Sequence, residues 1–158
     1  MSDQTSDLKS RLQSDLTDAI RSRDEVRSAT LRMALTAVRS AEVAGTSART
    51  LTDDEVEAVL GREAKKRREA VTAFTDAGRA DRAERESAEL VVLESYLPQQ
   101  LSDEELAALV ADAVSEVSAA GASGPAAIGR VMKIVQPKVA RRAEGGRVAA
   151  EVRRQLAT

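Results

Sequence analysis

Two four-residue segments constrain the fold of this 158-residue chain more than any other feature: Thr52-Asp53-Asp54-Glu55 and Ser102-Asp103-Glu104-Glu105. Both match the capping box, in which a Ser or Thr oxygen accepts from the amide three residues on and the acidic side chain there reaches back to the cap amide. Each predicts a helix start. The residues C-terminal to each box have helical rather than alternating periodicity. After Thr52 the inward set is Val56, Val59, Leu60, Ala64, Val71 and Phe74 over about 53–77, with Gly78 suited to the C′ position. After Ser102 it is Leu106, Leu109, Val110, Ala113 and Val117 over about 102–118.

The rest of the chain extends the helical pattern. Leu8, Leu12, Leu16 and Ile20 predict a helix over roughly 6–22. Asp24 is a candidate N-cap for a second helix, about 24–44, with Val26, Thr30, Met33, Ala37 and Ala41 on one face. Leu31, Leu35 and Val38 widen that face, which places this helix centrally; Gly45-Thr46-Ser47 stops it. Asp81 is a candidate cap for a fourth helix over about 81–96, ending in Leu90, Val91, Leu93, Tyr96 and Leu97. Pro98 breaks the pattern, because the residue before a proline disfavours the α region. The domain boundary is therefore expected at Pro98–Leu101, with an N-terminal helical bundle of four helices over 1–97 and a smaller module over 98–158. Beyond it, Pro125 fits a first turn. Ile128, Val131, Met132 and Val135 form a short stripe that Pro137 is expected to end, and Val148, Val152 and Leu156 mark a last helix after Gly145-Gly146.

Composition agrees with an all-α chain. Phe74 and Tyr96 are the only aromatic residues, so the core must be Leu, Val, Ile and Ala. Without Cys or His, disulfides, thiolate metal sites, Cys nucleophiles and His-based triads are excluded. No phosphate-binding glycine loop, dinucleotide fingerprint or zinc-protease motif is present. The twenty-six acids are read as salt-bridged helix faces, so no cofactor, metal or catalytic constellation is expected. No apolar run reaches the ~20 residues of a membrane span. The N-terminal MSDQTSDLKS lacks the regions of a signal peptide, so a soluble cytoplasmic protein is expected. Nineteen Arg against five Lys, with abundant Ala, points to a high-GC bacterial genome.

Charge is uneven along the chain. Residues 121–158 hold eight Lys/Arg and two acids, a net of +6, and residues 1–120 a net of −8. The candidate RNA-binding residues are Arg130, Lys133, Lys138, Arg141, Arg142 and Arg147. Arg130 and Lys133, three apart, share a helix face. Lys138, Arg141 and Arg142 are expected in the turn before the last helix, whose first amides can add to an anion site. Arg forks onto phosphate with two bonds and Lys adds a point charge. Helix solubility explains the same charges without a ligand. The scarcity of aromatics argues against base stacking and for reading the backbone of a structured RNA. The densest basic run, Lys65-Lys66-Arg67-Arg68, is read first as a solvated, partly paired face and second as an accessory phosphate contact.

Four segments resemble the YqeY family of small bacterial proteins with a GatB/YqeY domain: TLRMALTAVRSAE (30–42), KKRREAVTAFTDAGRAD (65–81), LVVLESYLPQQLSDEEL (90–106) and GRVMKIVQPKVARRAEG (129–145). The resemblance is collinear and spans nearly the whole chain. It implies two helical bundles, the larger N-terminal one and a three-helix C-terminal module similar to the tail of the GatB subunit of tRNA-dependent amidotransferase. In that enzyme the tail helps hold tRNA, and catalysis lies in other domains and subunits. Gly129, Val131, Met132, Pro137, Lys138, Arg142, Ala143 and Gly145 match the family pattern. Arg141 stands where the family has Gly and Glu144 where it has Asp; a positive φ at the family's Gly would strain Arg141.

The functional expectation is a non-catalytic accessory protein that interacts with tRNA or associates with tRNA-amidotransferase subunits. The alternative is a protein-interaction adaptor, marked by an exposed apolar patch on the N-terminal bundle. The weakest reading is the family's frequent label, carbon–nitrogen ligase activity with glutamine as amido-N-donor.

Overall fold

The computed structural model describes residues 7–157. The described residues form seven helices and no strand: α1 Asp7–Arg21, α2 Glu25–Glu42, α3 Asp53–Asp76, α4 Ala80–Glu94, α5 Asp103–Ala119, α6 Pro125–Val139 and α7 Gly145–Leu156. The all-α expectation is borne out. The expected helix start at residue 6 lies outside the described residues. The chain divides into two compact units, Met1–Leu97 and Pro98–Thr158.

In the first unit α2 packs against α1, α3 and α4. Its core is Leu12, Leu31, Leu35, Val38, Leu51, Val56, Val59, Leu60, Ala64, Leu93 and Tyr96, with Ala19 and Ala34 between them. The expected face of α2 is displaced: Met33 is exposed, and Leu31, Ala34, Leu35 and Val38 carry the burial. Ile20 is also exposed, and Ala19 takes its place in the core. A spacing of four residues drifts by about 40° per step at 3.6 residues per turn, so Leu12 aligns with residue 19 rather than 20. Val71 and Phe74 are only half-buried, and Phe74 lies 5.8 Å beneath the Arg82 guanidinium.

Helix ends follow local chemistry. Both capping boxes form, at Thr52/Glu55 and Ser102/Glu105. The Arg49 guanidinium forks onto Glu55, and with the Thr52 amide it holds the Glu55 carboxyl at about 2. Asp24 caps α2 by accepting from the Arg27 amide at 3.0 Å. Asp81 does not cap α4. The N-cap is Arg79, and Asp81 lies in the first turn, 3.5 Å from the Arg79 guanidinium. Gly45 is no left-handed cap either, since α2 ends through Val43 at φ −108°. Gly78 ends α3 as expected, at φ +70°, with Gly78 and Arg79 amides donating to the carbonyls of Thr75 and Phe74. Arg23 closes α1 with the same pair of bonds at φ +59°, a conformation that costs a side chain.

The basic run Lys65–Arg68 is not a uniform solvated face. Lys65 and Lys66 are exposed, but Arg67 is 7% exposed and donates from Nε to Glu89 Oε2 at 3.0 Å, with Glu63 and Glu86 at 3.7 and 3.6 Å. Arg68 pairs with Glu94. These two guanidiniums tie α3 to α4.

In the second unit α5, α6 and α7 pack mutually. Leu101, Leu106, Val110, Ala113 and Val117 meet Ala127, Val131, Val135, Val139, Ala143, Val148 and Val152. Pro125 opens α6, but Pro137 does not end it. The helix runs on to Val139, because a proline in the last turn removes one ladder bond, to the Lys133 carbonyl, and leaves the earlier ones intact. The stop comes at Ala140, φ +49° and ψ −121°, where the Arg142 amide donates to the Val139 carbonyl at 2.9 Å. That is the geometry of a type II′ turn, whose first central position favours Gly. The positive φ therefore falls on Ala140 and not on Arg141.

Candidate nucleic-acid interface

The cationic end is assembled from α6, the turn after it and the start of α7. Arg130 and Lys133 lie on α6 and are exposed. At about 100° per residue they stand about 60° apart around the axis, on the side facing away from Val131 and Val135. Lys138 is also exposed, but it belongs to the last turn of α6 rather than to the inter-helix turn. There it offsets the negative end of the helix. It stands about 140° from Lys133, so the three bases do not share one face. All three lack a hydrogen-bond or ion-pair partner among the described residues.

The remaining candidates are engaged. Arg142 donates from Nε to the Gln99 carbonyl at 3.2 Å, and its own carbonyl accepts from the Leu101 amide at 2.7 Å. The Gln100 side-chain amide donates to the Arg141 carbonyl at 3.1 Å. Arg147 donates from Nη2 to the Leu101 carbonyl at 2.8 Å and to Asp103 Oδ1 at 3.0 Å. Together these bonds clasp residues 99–101 onto the turn. Arg141, Arg142 and Arg147 are half-buried as a result. Gly145 and Gly146 are the first two residues of α7, so their amides open that helix, but its N-cap is Glu144. Arg154 pairs with Glu151, whose carboxyl Arg154 and Gln155 hold at about 2.

The unit's charge is divided between helices. α5 carries Asp103, Glu104, Glu105, Asp112 and Glu116 and no base; α6 carries Arg130, Lys133 and Lys138 and no acid. Residues 98–158 therefore hold eight Lys/Arg against seven Asp/Glu, a net of +1. The +6 of residues 121–158 is a local excess within a nearly neutral unit. A division of the sequence at residue 121 hides this, because the sign changes inside the unit and not at its boundary.

Two hollows open elsewhere. One, about 400 Å³, lies in the first unit between the end of α3 and the start of α4, lined by Val71, Thr75, Gly78, Ala80, Ala83, Glu84 and Ser87. Val91, one turn beyond Ser87, is 66% exposed. The other, about 440 Å³, lies in the second unit beside Pro125, Ile128, Arg153 and Leu156. No group of three acids able to hold a metal ion occurs among the described residues. No described helix is long and apolar enough to cross a membrane.

Two compact helical units, the second with its cations gathered on α6, α7 and the turn between them, define a small all-helical protein. The chain belongs to the Yqey-like protein family, whose model matches residues 9–156. No curated protein matches the sequence.

Proposed function

We propose that this chain is a non-catalytic accessory protein that interacts with tRNA, or with the tRNA-amidotransferase machinery, through residues 98–158 acting as a module like the GatB tail. The supporting observation is the cationic α6, where Arg130, Lys133 and Lys138 project without a partner among the described residues and without a neighbouring carboxylate on the helix. Unpaired cations held on a rigid helix are suited to phosphate contact, since none has to break an internal bond first. The bases of the turn and of the start of α7 contribute differently. Arg142 and Arg147 shape the surface by holding residues 99–101.

The test is titration of purified protein with a tRNA transcript at rising salt. The expected result is an affinity that falls by about 10-fold or more between roughly 50 and 200 mM salt and falls further with Arg130→Glu plus Lys138→Glu. Binding that ignores both salt and these substitutions sinks the reading.

A second reading is favoured by the apolar hollow between α3 and α4 with exposed Val91 beside it. It is a protein-docking adaptor without RNA contact. A pull-down that recovers protein, is lost with Val91→Asp and contains no RNA supports it. The ligase reading gains no residue in either unit; glutaminase turnover by the purified chain would establish it.

A further inference from the structure

The outward face of α6 carries a bare stretch of helix framed by charge. Ala126, Gly129, Arg130, Lys133 and Gln136 are all exposed on it. Gly129 lies mid-helix, where glycine is the poorest helix former after proline. Nothing inside the fold requires it there, since its φ is not positive and a Cβ built on it meets no atom within 4 Å. With Ala126 one turn before it, the helix backbone is left accessible beside two unpartnered cations, Arg130 and Lys133. No carboxylate occurs anywhere in Pro125–Val139.

We infer that the sugar–phosphate backbone of paired RNA seats on this face, with Gly129 as the point of closest approach and Arg130 and Lys133 gripping the adjoining phosphates. The inference rests on the RNA-binding reading and narrows it to the middle of α6. Charge complementarity selects the occupant, because a face whose only charges are the cations Arg130 and Lys133 matches a polyanion. The absent side chain admits a convex backbone ridge that any longer residue would hold off. Backbone contact of this kind reads shape rather than sequence.

The experiment compares full-length parent, Gly129→Gln, Arg130→Glu plus Lys133→Glu, and Lys138→Glu for binding a short RNA hairpin and for thermal midpoint. Gln is the better helix former and its Cβ has open space, so Gly129→Gln is expected to melt no lower than the parent. It is nonetheless expected to bind the hairpin about tenfold more weakly. Arg130→Glu plus Lys133→Glu is expected to lose more affinity, and Lys138→Glu less. A stabilised variant with weakened binding separates contact from folding. Unchanged binding by Gly129→Gln, with loss confined to Lys138→Glu, overturns the inference and leaves RNA binding through the C-terminal end of α6 standing. A parent that binds neither hairpin nor tRNA overturns both.

Discussion

Arg142 donates from Nε to the carbonyl oxygen of Gln99 across 3.2 Å, joining the turn after α6 to the segment that enters α5. A residue that sequence assigns to phosphate binding thus has a structural task. Arg142→Ala is expected to destabilise the protein by about 1 kcal/mol, the net value of one such bond. Lys138→Ala, exposed and without a partner, is expected to stay within about 0.5 kcal/mol of the parent while weakening tRNA binding. Urea unfolding of both variants, beside the binding titration, checks the division of labour.

Arg67 is the most committed charge in the first unit. It and Glu89 are each 7% exposed and meet at 3.0 Å. Arg67→Ala leaves a buried carboxylate without its closest guanidinium, which costs about 3–5 kcal/mol. Arg67→Met with Glu89→Leu is expected to recover most of that loss. Guanidinium unfolding decides it; a loss under about 1 kcal/mol for the single variant would show that Arg85, 3.3 Å from Glu89, suffices.

Tyr96 is the sole tyrosine and there is no Trp, so its ionisation can be followed alone by ultraviolet absorbance. Burial first, then its donated bond to Asp15, push the phenol up to about 12. Unfolded, it ionises near its ordinary value of about 10. The folded form holds the proton more tightly, so this contribution to stability is complete below about pH 10 and disappears as pH rises toward 12. The midpoint in native protein is expected near 12, and Asp15→Asn is expected to lower it. A native midpoint equal to that in urea would refute the assignment.

Two side chains occupy backbone conformations that suit glycine: Arg23 at φ +59° and Ala140 at φ +49°. Arg23→Gly and Ala140→Gly are each expected to stabilise by up to about 1 kcal/mol, the relief of strain exceeding the entropy glycine brings to the unfolded chain. Thermal midpoints should rise; a fall at Ala140 would place its turn outside the II′ geometry.

The parts of the fold legible in sequence are those set by residues three or four apart. Both capping boxes, the Asp24 cap and the Gly78 terminus need no distant partner. Misreadings begin where neighbours compete. Asp81 is a plausible cap by type, but the α3 terminus already fixes Arg79 as the next helix's cap, since its amide donates to Phe74. Pro137 reads as a stop only if one lost ladder bond outweighs the packing of Val135 and Val139 on either side. The Arg67 pair and the clasp on residues 99–101 join positions 22 and more than 40 residues apart, which no periodicity encodes. Of the candidate site residues, sequence identified the charges, and packing decides which of them remain free: Arg130, Lys133 and Lys138, but not Arg142 or Arg147.

The opposition of acidic α5 to basic α6 has a kinetic consequence. A unit with one net positive charge feels little pull from a distant polyanion, yet the separation of its charges between α5 and α6 makes it dipolar. In the field near a nucleic acid the unit experiences torque before it experiences much attraction. Encounters would then begin already turned, with α6 leading and α5 trailing, and added salt would slow them chiefly by abolishing that alignment.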